Sequence, residues 1–371
     1  MTDLKKEREY PSALGLIDPA RLEHIPKEFH AQHEFCFRLH DMLADVIRQA
    51  ERHRVAEVKV RFKDEAEARA FSNFKGDPIS FFLEHGKADV AKRITMNQVV
   101  VPLYADALHF IYEGLSSLER RKYAVAFTLL RKPLKYDLMF ATWIVADETD
   151  FFDRMNKSPA DWLDDKSLSK HRRIELLRQA IRTIENSEFL DAGVIYNMVY
   201  NKAFKNGLAI YFDKAAHLVT SRGETMRTER LNLNFIFKNP NDTDVYEGVY
   251  YPLAYLLSYL LLLGITTVGR MSSVAESYKQ WLSVVVLGAF EAIFGDGSIH
   301  LADQMNAVFD GFLHCSICGA KLTVTKENAP RFFLAELINC ERCNIEQQFP
   351  LFWLMTVMWK FGKKGEHGAT R

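Results

Sequence analysis

Four of the chain's five cysteines form two short pairs near its C-terminal end, and this pattern constrains the fold more than any other feature. The pairs are Cys315-Ser-Ile-Cys318 and Cys340-Glu-Arg-Cys343, with twenty-one residues between them. A two-residue gap lets both sulfurs of a pair turn toward one metal ion, and two such pairs match the spacing of a four-thiolate zinc site. Cys315, Cys318, Cys340 and Cys343 are therefore predicted to bind one structural Zn²⁺.

The segments around these pairs predict a zinc ribbon. Gly319 follows the first pair, where a tight turn of positive φ would be needed. Residues 320–325 alternate as a strand would, and residues 332–339 are predicted to run back antiparallel to them. Because catalytic zinc usually keeps an open position, a closed four-cysteine site is expected to stabilise the fold. A disulfide interpretation is disfavoured, since paired CxxC motifs in a chain without a signal peptide suit a reducing compartment.

The remaining sequence predicts a mainly α-helical protein, a multi-helix bundle with a short β element and the small C-terminal zinc ribbon. Forty-eight basic residues balance forty-eight acidic ones, so no global field attracts nucleic acid or anionic lipid. The N-terminus lacks the apolar core of a signal peptide, which favours a cytoplasmic location. A Gly-rich phosphate loop, a Gly-x-Ser-x-Gly elbow and a His-Glu-x-x-His motif are all absent from the sequence, which disfavours an ordinary metabolic enzyme.

Four sections are predicted along the chain. Residues 1–27 carry three prolines among charges and are expected to form an extended lead-in. Residues 28–312 form the helical bundle domain, and residues 313–350 form the zinc ribbon. Residues 351–371 begin with a strongly apolar helix that is expected to dock the ribbon on the bundle, and end in a disordered tail.

Apolar residues at steps of three and four predict helices over Phe29–Arg54, Asn97–Arg120 and Arg121–Asp147. Pro133 interrupts the third helix, which is expected to kink or restart there. Arg131 lies beside this proline on a largely apolar helix. A buried charge needs a partner, so Arg131 is expected either to pair with a carboxylate in the core or to face a ligand.

Two further segments predict short β elements and a long helix. Residues 55–62 alternate apolar and polar side chains, which predicts a half-buried strand. Residues 196–220 predict one helix, which leads into a polar loop ahead of a strand over residues 231–237. Loops with convergent polar groups are frequent sites of function, so His217, Arg222 and Glu224 are candidate catalytic residues together with Arg131.

Gly248–Gly269 contains no charged residue over 22 positions, which is long enough to cross a bilayer. Its four tyrosines are spread through the segment rather than placed at its edges, which favours a buried helix of a soluble core. A second apolar helix, Trp281–Phe294, is expected to pack against it as a hairpin. A membrane span remains the alternative.

A basic amphipathic helix is predicted between residues 166 and 182. One face is apolar, and the other carries Lys166, Lys170, Arg172, Arg173, Arg178 and Arg182. Such a face can bind phosphate or an acidic protein partner, and the alternative is a solvated helix surface. If the face binds nucleic acid, reversing Arg173 and Arg178 to Glu is expected to weaken binding while leaving the fold intact.

The run from Ala107 to Met155 carries Leu129-Leu130-Arg131 in an apolar helix and leaves it through Asp-Glu-Thr-Asp-Phe-Phe. This run resembles bacterial helical proteins of unknown function that are related to abortive-infection and HEPN-like proteins. In those relatives an acidic residue often follows the Leu-Leu-Arg, whereas this chain has Lys135 there. Arg48 and His53 also have the Arg-x4-His spacing of HEPN ribonucleases.

These observations favour a helical interaction or regulatory protein that acts in bacterial stress or phage defence. Its ribbon and its basic helix would bind a protein partner or nucleic acid. The first alternative is a metal-independent HEPN-like ribonuclease, in which an Arg and a His would converge on one phosphate. The second alternative is a membrane-associated helical protein.

Overall fold

The computed structural model describes residues 13–159, 163, 167–219, 228, 230, 243–295, 297 and 299–357. The fold in this part of the chain is mainly α-helical, as predicted. Its α-helices are α1 (His30–Arg52), α2 (Glu65–Asn73), α3 (Pro78–Glu84), α4 (Ala88–Glu119), α5 (Tyr123–Lys132), α6 (Leu138–Ala146), α7 (Glu148–Lys157), α8 (Lys170–Ile181), α9 (Ala192–Tyr200), α10 (Ala209–Ala216), α11 (Asp244–Met271), α12 (Glu276–Phe294), α13 (His300–Val308), α14 (Ala329–Ala335) and α15 (351–357). One antiparallel sheet pairs β1 (Leu337–Asn339) with β2 (Glu346–Gln348).

Helix α11 forms the centre of the bundle. It packs along α1 and also contacts α4, α6 and α12, so it is surrounded on most sides. Its uncharged stretch makes this burial possible, because a helix that is apolar all round belongs in a core. Within the described residues α11 is the one helix long and apolar enough to cross a membrane, and 89% of its apolar window is buried inside the protein. The segment thus forms a core helix and packs against α12, as expected.

The hydrogen bonds of the α11 tyrosines explain why these residues are spread along the helix. Their hydroxyls hydrogen-bond to different neighbours, so each fixes α11 against another part of the bundle. Tyr250 contacts His33 of α1 at 2.9 Å, and Tyr259 contacts Thr142 of α6 at 3.0 Å. Tyr246 donates to a carbonyl in the last turn of α4 at 2.9 Å. A buried hydroxyl is stabilising only when it is paired, and these are.

The predicted interruption at Pro133 is a π-helical turn, Pro133–Asp137, between α5 and α6. In a π turn, residues five apart lie above one another, which brings Lys132 over the buried carboxylate of Asp137 at 3.3 Å. Lys132 also pairs with Asp106 of α4. Burial raises the pKa of Asp137, and the charge of Lys132 opposes this shift.

The expectation of an ion pair for Arg131 is wrong. Arg131 is only half-buried, and within the described part of the chain it makes no ion pair. The π turn provides the reason, because it aligns the carboxylate with position 132 instead of position 131. Lys132 therefore carries the buried ion pair of this helix.

The strand predicted for residues 55–62 is absent. The segment begins in a turn and then has no regular secondary structure, and Val58, Val60 and Phe62 are half-buried while the residues between them are exposed. The alternation therefore arises because one face of the segment packs on the bundle. No strand among the described residues pairs with the segment, so it forms no sheet.

The single helix predicted for residues 196–220 is two helices, α9 and α10, joined by a turn over residues 201–208. Asn201 ends α9 in an extended conformation. The turn is closed by a hydrogen bond from the Leu208 N–H to the Met198 carbonyl at 2.7 Å. Gly207 permits this approach, since a Cβ there would lie 3.1 Å from the same carbonyl oxygen. The strand predicted for residues 231–237 lies outside the described residues.

The N-terminal segment is held on the bundle by a buried carboxylate. Glu34 of α1 is fully buried, and its two oxygens accept hydrogen bonds from the backbone N–H groups of Leu14, Leu16 and Ile17. Two short 3₁₀ turns, Pro19–Leu22 and Lys27–Phe29, follow before α1 begins. Residues 13–27 thus have more local structure than the extended lead-in that was predicted for residues 1–27, whereas residues 1–12 lie outside the described residues.

A second buried network lies beside this attachment. Arg21 donates to the Glu119 carboxylate at 2.6 Å, and His33 Nε2 contacts the same oxygen at 3.3 Å. His33 Nδ1 lies 2.9 Å from the Tyr250 hydroxyl, within hydrogen-bond distance. Burial lowers the pKa of His33. The pKa of Glu119 is also below its ordinary value, because the hydrogen bonds from His33 and Arg21 outweigh its burial.

Candidate metal centre

The four predicted cysteines converge at one point. Their sulfurs all lie within 4.8 Å of one another, and the Cys315–Cys343 and Cys318–Cys340 pairs are each 3.6 Å apart. A tetrahedral metal with bonds of about 2.3 Å to sulfur requires sulfur–sulfur distances of about 3.8 Å. A disulfide would require about 2.05 Å, and all five cysteines are free. The geometry therefore fits a four-thiolate metal site.

The two cysteine pairs are built by the same local turn. In each, a residue of positive φ stands four positions after the first cysteine: Gly319 at φ 69° and Asn344 at φ 54°. The N–H of Gly319 donates to the carbonyl of Cys315 at 2.9 Å, and that of Asn344 to the carbonyl of Cys340 at 2.8 Å. Glycine and asparagine are the residues that tolerate this conformation best. Each pair is thus prearranged by its own sequence.

The ribbon between the pairs differs from the prediction. Residues 320–325 form no strand beyond one isolated bridge between His314 and Lys321. Of residues 332–339, the first four belong to helix α14 and the last three form strand β1. Pro330 favours a helix start at this point, because its fixed φ suits the first helical turn. Glu336 ends the helix with φ 57°. The strands that do form, β1 and β2, flank the second cysteine pair.

One side chain outside the four ligands supports the site. The Gln347 amide nitrogen lies 2.6 Å from the Cys315 sulfur, and its oxygen accepts from the Ser316 N–H at 2.9 Å. Although burial opposes the shift, backbone N–H groups lower the pKa of Cys315 to about 6. Despite a backbone hydrogen bond from Ile345, burial and the nearby cysteines raise the pKa of Cys343 to about 12. Four thiolates this close together would need a cation to be stable.

The metal centre is attached to the bundle through α14 and α15. The Phe333 ring of α14 lies over Gly288 of α12, where an added Cβ would be 2.5 Å from the ring. Arg38 of α1 donates to a backbone carbonyl of α14 at 3.1 Å. In α15, the Phe352 ring meets Trp281 of α12 edge to face, with 5.2 Å between ring centroids. The predicted docking of residues 351–357 on the bundle is therefore present, and the predicted tail beyond 357 lies outside the described residues.

Of the remaining catalytic candidates, the structure describes Arg131 and His217. His217 is exposed at the end of α10, where its backbone N–H donates to the Asp213 carbonyl at 3.1 Å. Arg222 and Glu224 lie outside the described residues. Arg131 is half-buried on α5, as stated above. Their catalytic role stays a prediction.

The Arg-x4-His pair of α1 lies at the exposed end of that helix. Arg48 pairs with Asp45 in the preceding turn, and His53 caps the helix C-terminus through its backbone N–H. Both side chains are exposed. A ribonuclease role for them stays a prediction.

The basic helix is confirmed as α8, but two of its arginines have structural roles. Ser169 caps the helix by accepting from the Arg172 N–H at 3.2 Å. The Arg172 side chain pairs with Asp147 of the α7 cap at 2.7 Å. Arg173 is buried, and its guanidinium lies 4.4 Å from the centre of the Tyr200 ring. The expectation that reversing Arg173 would leave the fold intact is therefore wrong, because it would bury a carboxylate in this place.

The basic face that remains on α8 is small. Arg178 and Arg182 are exposed, and the Lys170 ammonium lies 5.5 Å from the centre of the Tyr196 ring. Lys166 lies outside the described residues. These cations are too few to provide the strong, salt-dependent binding of a protein that contacts many phosphates.

The sequence prediction missed an apolar cavity beside the cysteines. It has a volume of about 540 Å³ and is lined by Phe312, Ile317, Ile345 and Trp353 together with all of β2; we call it the ribbon groove. Phe312, Ile317 and Trp353 are 64%, 66% and 60% exposed. Ile317 could have indicated this groove from the sequence alone. It lies between the two cysteines of one pair, where a side chain must point away from the metal.

Comparisons of this chain with protein-family models, with curated proteins and with solved structures found no match. The site is therefore defined by its own geometry, namely four converging cysteines and the groove beside them. The relationship to abortive-infection and HEPN-like proteins stays a prediction.

Proposed function

We propose that this chain is a helical interaction or regulatory protein that binds a protein partner in the ribbon groove, with the ribbon held in shape by one structural zinc ion. The observation that carries the proposal is the exposed apolar groove next to the closed four-cysteine site. The role is one of binding rather than catalysis, because a metal with four protein ligands keeps no open position for a substrate.

Zinc is the metal we propose for the site. Four sulfur ligands in tetrahedral array suit Zn²⁺, which has no geometric preference of its own and accepts thiolates readily. Cys315, Cys318, Cys340 and Cys343 would be the ligands, and Gln347 would orient Cys315. A cytoplasmic location follows as part of the proposal, because free thiolates persist in a reducing compartment.

Exposed apolar side chains are concentrated on the ribbon and its flanks. Eleven large hydrophobic side chains are exposed among the described residues, and six of them fall within residues 308–353. They are Val308, Phe312, Ile317, Ile345, Phe352 and Trp353. Four of the six, Phe312, Ile317, Ile345 and Trp353, line the ribbon groove. Soluble proteins rarely expose contiguous apolar surface unless it contacts another molecule, so this grouping favours an interface.

The charges in the groove favour a protein partner over nucleic acid. His314 and Glu346 are the two ionisable residues in its lining, and Glu346 pairs with Arg331 at 2.6 Å. Protein interfaces are depleted of charge at their centre, whereas nucleic-acid interfaces are strongly basic. A role in bacterial stress or phage defence stays a prediction that rests on the resemblance to abortive-infection and HEPN-like proteins.

Site-specific photocrosslinking in the native host tests this proposal. A photoreactive amino acid at position 317 is expected to give discrete adducts with a protein partner, identified by mass spectrometry. The control places the same group at position 125, because Val125 is an exposed apolar residue on α5, in the bundle. Adducts at both positions alike, or at neither, would contradict the proposal.

A further inference from the structure

The small sheet has one edge that faces the ribbon groove. β1 and β2 are antiparallel, and Ile338 lies opposite Gln347. The bonds at the ends of the sheet define its pattern: the Cys340 N–H donates to the Ile345 carbonyl at 3.0 Å, and the Phe349 N–H donates to a carbonyl before β1 at 2.7 Å. Since bonded positions alternate along an antiparallel pair, residues 345, 347 and 349 direct their backbone groups toward β1.

The backbone groups of Glu346 and Gln348 therefore point the other way. The sheet consists of two strands, so no third strand among the described residues pairs with this edge of β2. An edge strand with unpaired N–H and C=O groups is a template for another extended chain. These groups make the edge a directional recognition element, which a purely apolar surface would lack.

The ribbon groove reaches this edge. Glu346, Gln347 and Gln348 all line it, and so does Ile338 of β1. The side chains of Ile338 and Gln347 lie on one face of the sheet and those of Glu346 and Gln348 on the other, so the groove extends from a face of the sheet to the free edge of β2. Phe312, Ile317 and Trp353 form its apolar wall. An extended segment paired with β2 would consequently place alternate side chains against that wall.

We propose that the partner binds as a β-strand that adds to the free edge of β2. This inference rests on the proposed function, because it specifies what occupies the same groove. The bound segment is about five residues long, the usual length of a strand. It is uncharged, because the groove is nearly free of charge and would leave a buried charge unpaired. Every second residue is apolar, in keeping with strand addition at other sheet edges.

Selection from a displayed library of random peptides tests the mode of binding. The zinc-loaded full-length protein is the bait, and a Trp353→Asp variant is the control, since the exposed Trp353 can be changed without filling or emptying a core. Uncharged peptides with apolar residues at every second position are expected. Apolar residues spaced by three and four would indicate a bound helix, which would overturn strand addition and leave the proposed function standing. Equal enrichment on both proteins would contradict both proposals.

A substitution on the free edge of β2 provides a second test of strand addition. Gln348→Pro removes the outward N–H without removing a bond to β1, and proline is tolerated on edge strands. It is expected to weaken the selected peptides about five- to tenfold, the effect of losing one hydrogen bond. Gln348→Ala removes the same side chain but keeps the N–H, so it is the reference from which the loss in Gln348→Pro is measured. Zinc content verifies that both variants keep the ribbon. Equal binding by the two variants would overturn strand addition.

Discussion

The metal centre and the network around His33 are both clusters of polar groups, but the chain assembles them in different ways. The cysteines come from two local turns within one ribbon, and each turn is specified by its own few residues. The network joins Arg21, His33, Glu119 and Tyr250, and its longest contact spans 217 positions in sequence. One cluster therefore depends on a short segment and on the proposed metal ion, and the other depends on the whole bundle.

This difference predicts how each cluster fails. Loss of the metal should release the ribbon and leave the bundle folded, because the bundle core lies around α11 and not around the cysteines. Loss of the network should lower the stability of the bundle as a unit, because its members lie on α1, α4, α11 and the N-terminal segment. The following substitutions test this difference.

Cys340→Ser is expected to have the largest effect. Structural zinc contributes roughly 10–16 kcal/mol to the folding of zinc-finger peptides, and one lost ligand forfeits much of it. We expect metal to be lost and amide protection to fall in residues 313–350, with protection in α1 and α11 retained. Hydrogen exchange with mass spectrometry measures this. Cys36→Ala is the matched control, since Cys36 is buried on α1 away from the site. Uniform loss of protection over the whole chain would refute the contrast.

Glu119→Ala breaks the network and is expected to destabilise the bundle by about 3–5 kcal/mol, because it leaves the Arg21 charge and the buried His33 without their partner. Chemical denaturation followed by circular dichroism measures the free energy of unfolding. Glu113→Ala, at an exposed position of the same helix, should change it by less than about 0.5 kcal/mol. Equal effects of the two substitutions would show that the network is not stabilising.

Gly288→Ala tests the joint between the two regions. The new methyl group would overlap the Phe333 ring, so α14 must shift at a cost of about 1–3 kcal/mol. We expect zinc to stay bound while amide protection in α14 falls. Gly311→Ala is the control, because a Cβ there meets no atom within 4 Å. If Gly288→Ala instead lost its zinc, the ribbon would depend on the bundle more than proposed.

The smallest expected effect is a pH dependence of the free energy of unfolding, which arises from Glu185. Its burial and the adjacent carboxylate of Glu276 raise its pKa from 4.5 to about 7. Between these pH values the folded protein holds a proton that the unfolded chain releases, so the free energy of unfolding falls as pH rises through the window. The side chain is 36% exposed, so solvent screening keeps the change below about 1 kcal/mol.

Glu185→Gln should remove this contribution. Unfolding curves at about pH 5 and about pH 8 measure it as the difference between the variant and the unchanged protein. Glu188→Gln, at an exposed position in the following loop, is the control and should keep the original slope. A variant with an unchanged slope would contradict the assignment to Glu185.

The same contrast explains what the sequence could and could not predict. Local patterns were sufficient for the cysteine ligands, for the core helix α11 and for the interruption at Pro133, because each is specified by neighbouring residues. The partner of Arg131, the strand at 55–62 and the outline of the ribbon were wrong. Helix α14 has a local signal, Pro330, which the expectation of a ribbon strand disregarded. The preference for Lys132 over Arg131 depends on the π turn together with Asp106 of α4, and the strand depends on a pairing strand for Val58 and Val60, so both require residues that are distant in sequence. The ribbon groove was missed for the same reason, since Phe312 and Trp353 meet only in the folded chain.

Metal content tests the central claim most directly. The protein should be purified without added metal and under reducing conditions, and its metals measured by inductively coupled plasma mass spectrometry. One zinc ion per chain is expected, lost on substitution of Cys340 and retained in Cys36→Ala. Folded, reduced protein that contains no zinc would contradict the proposed zinc ribbon.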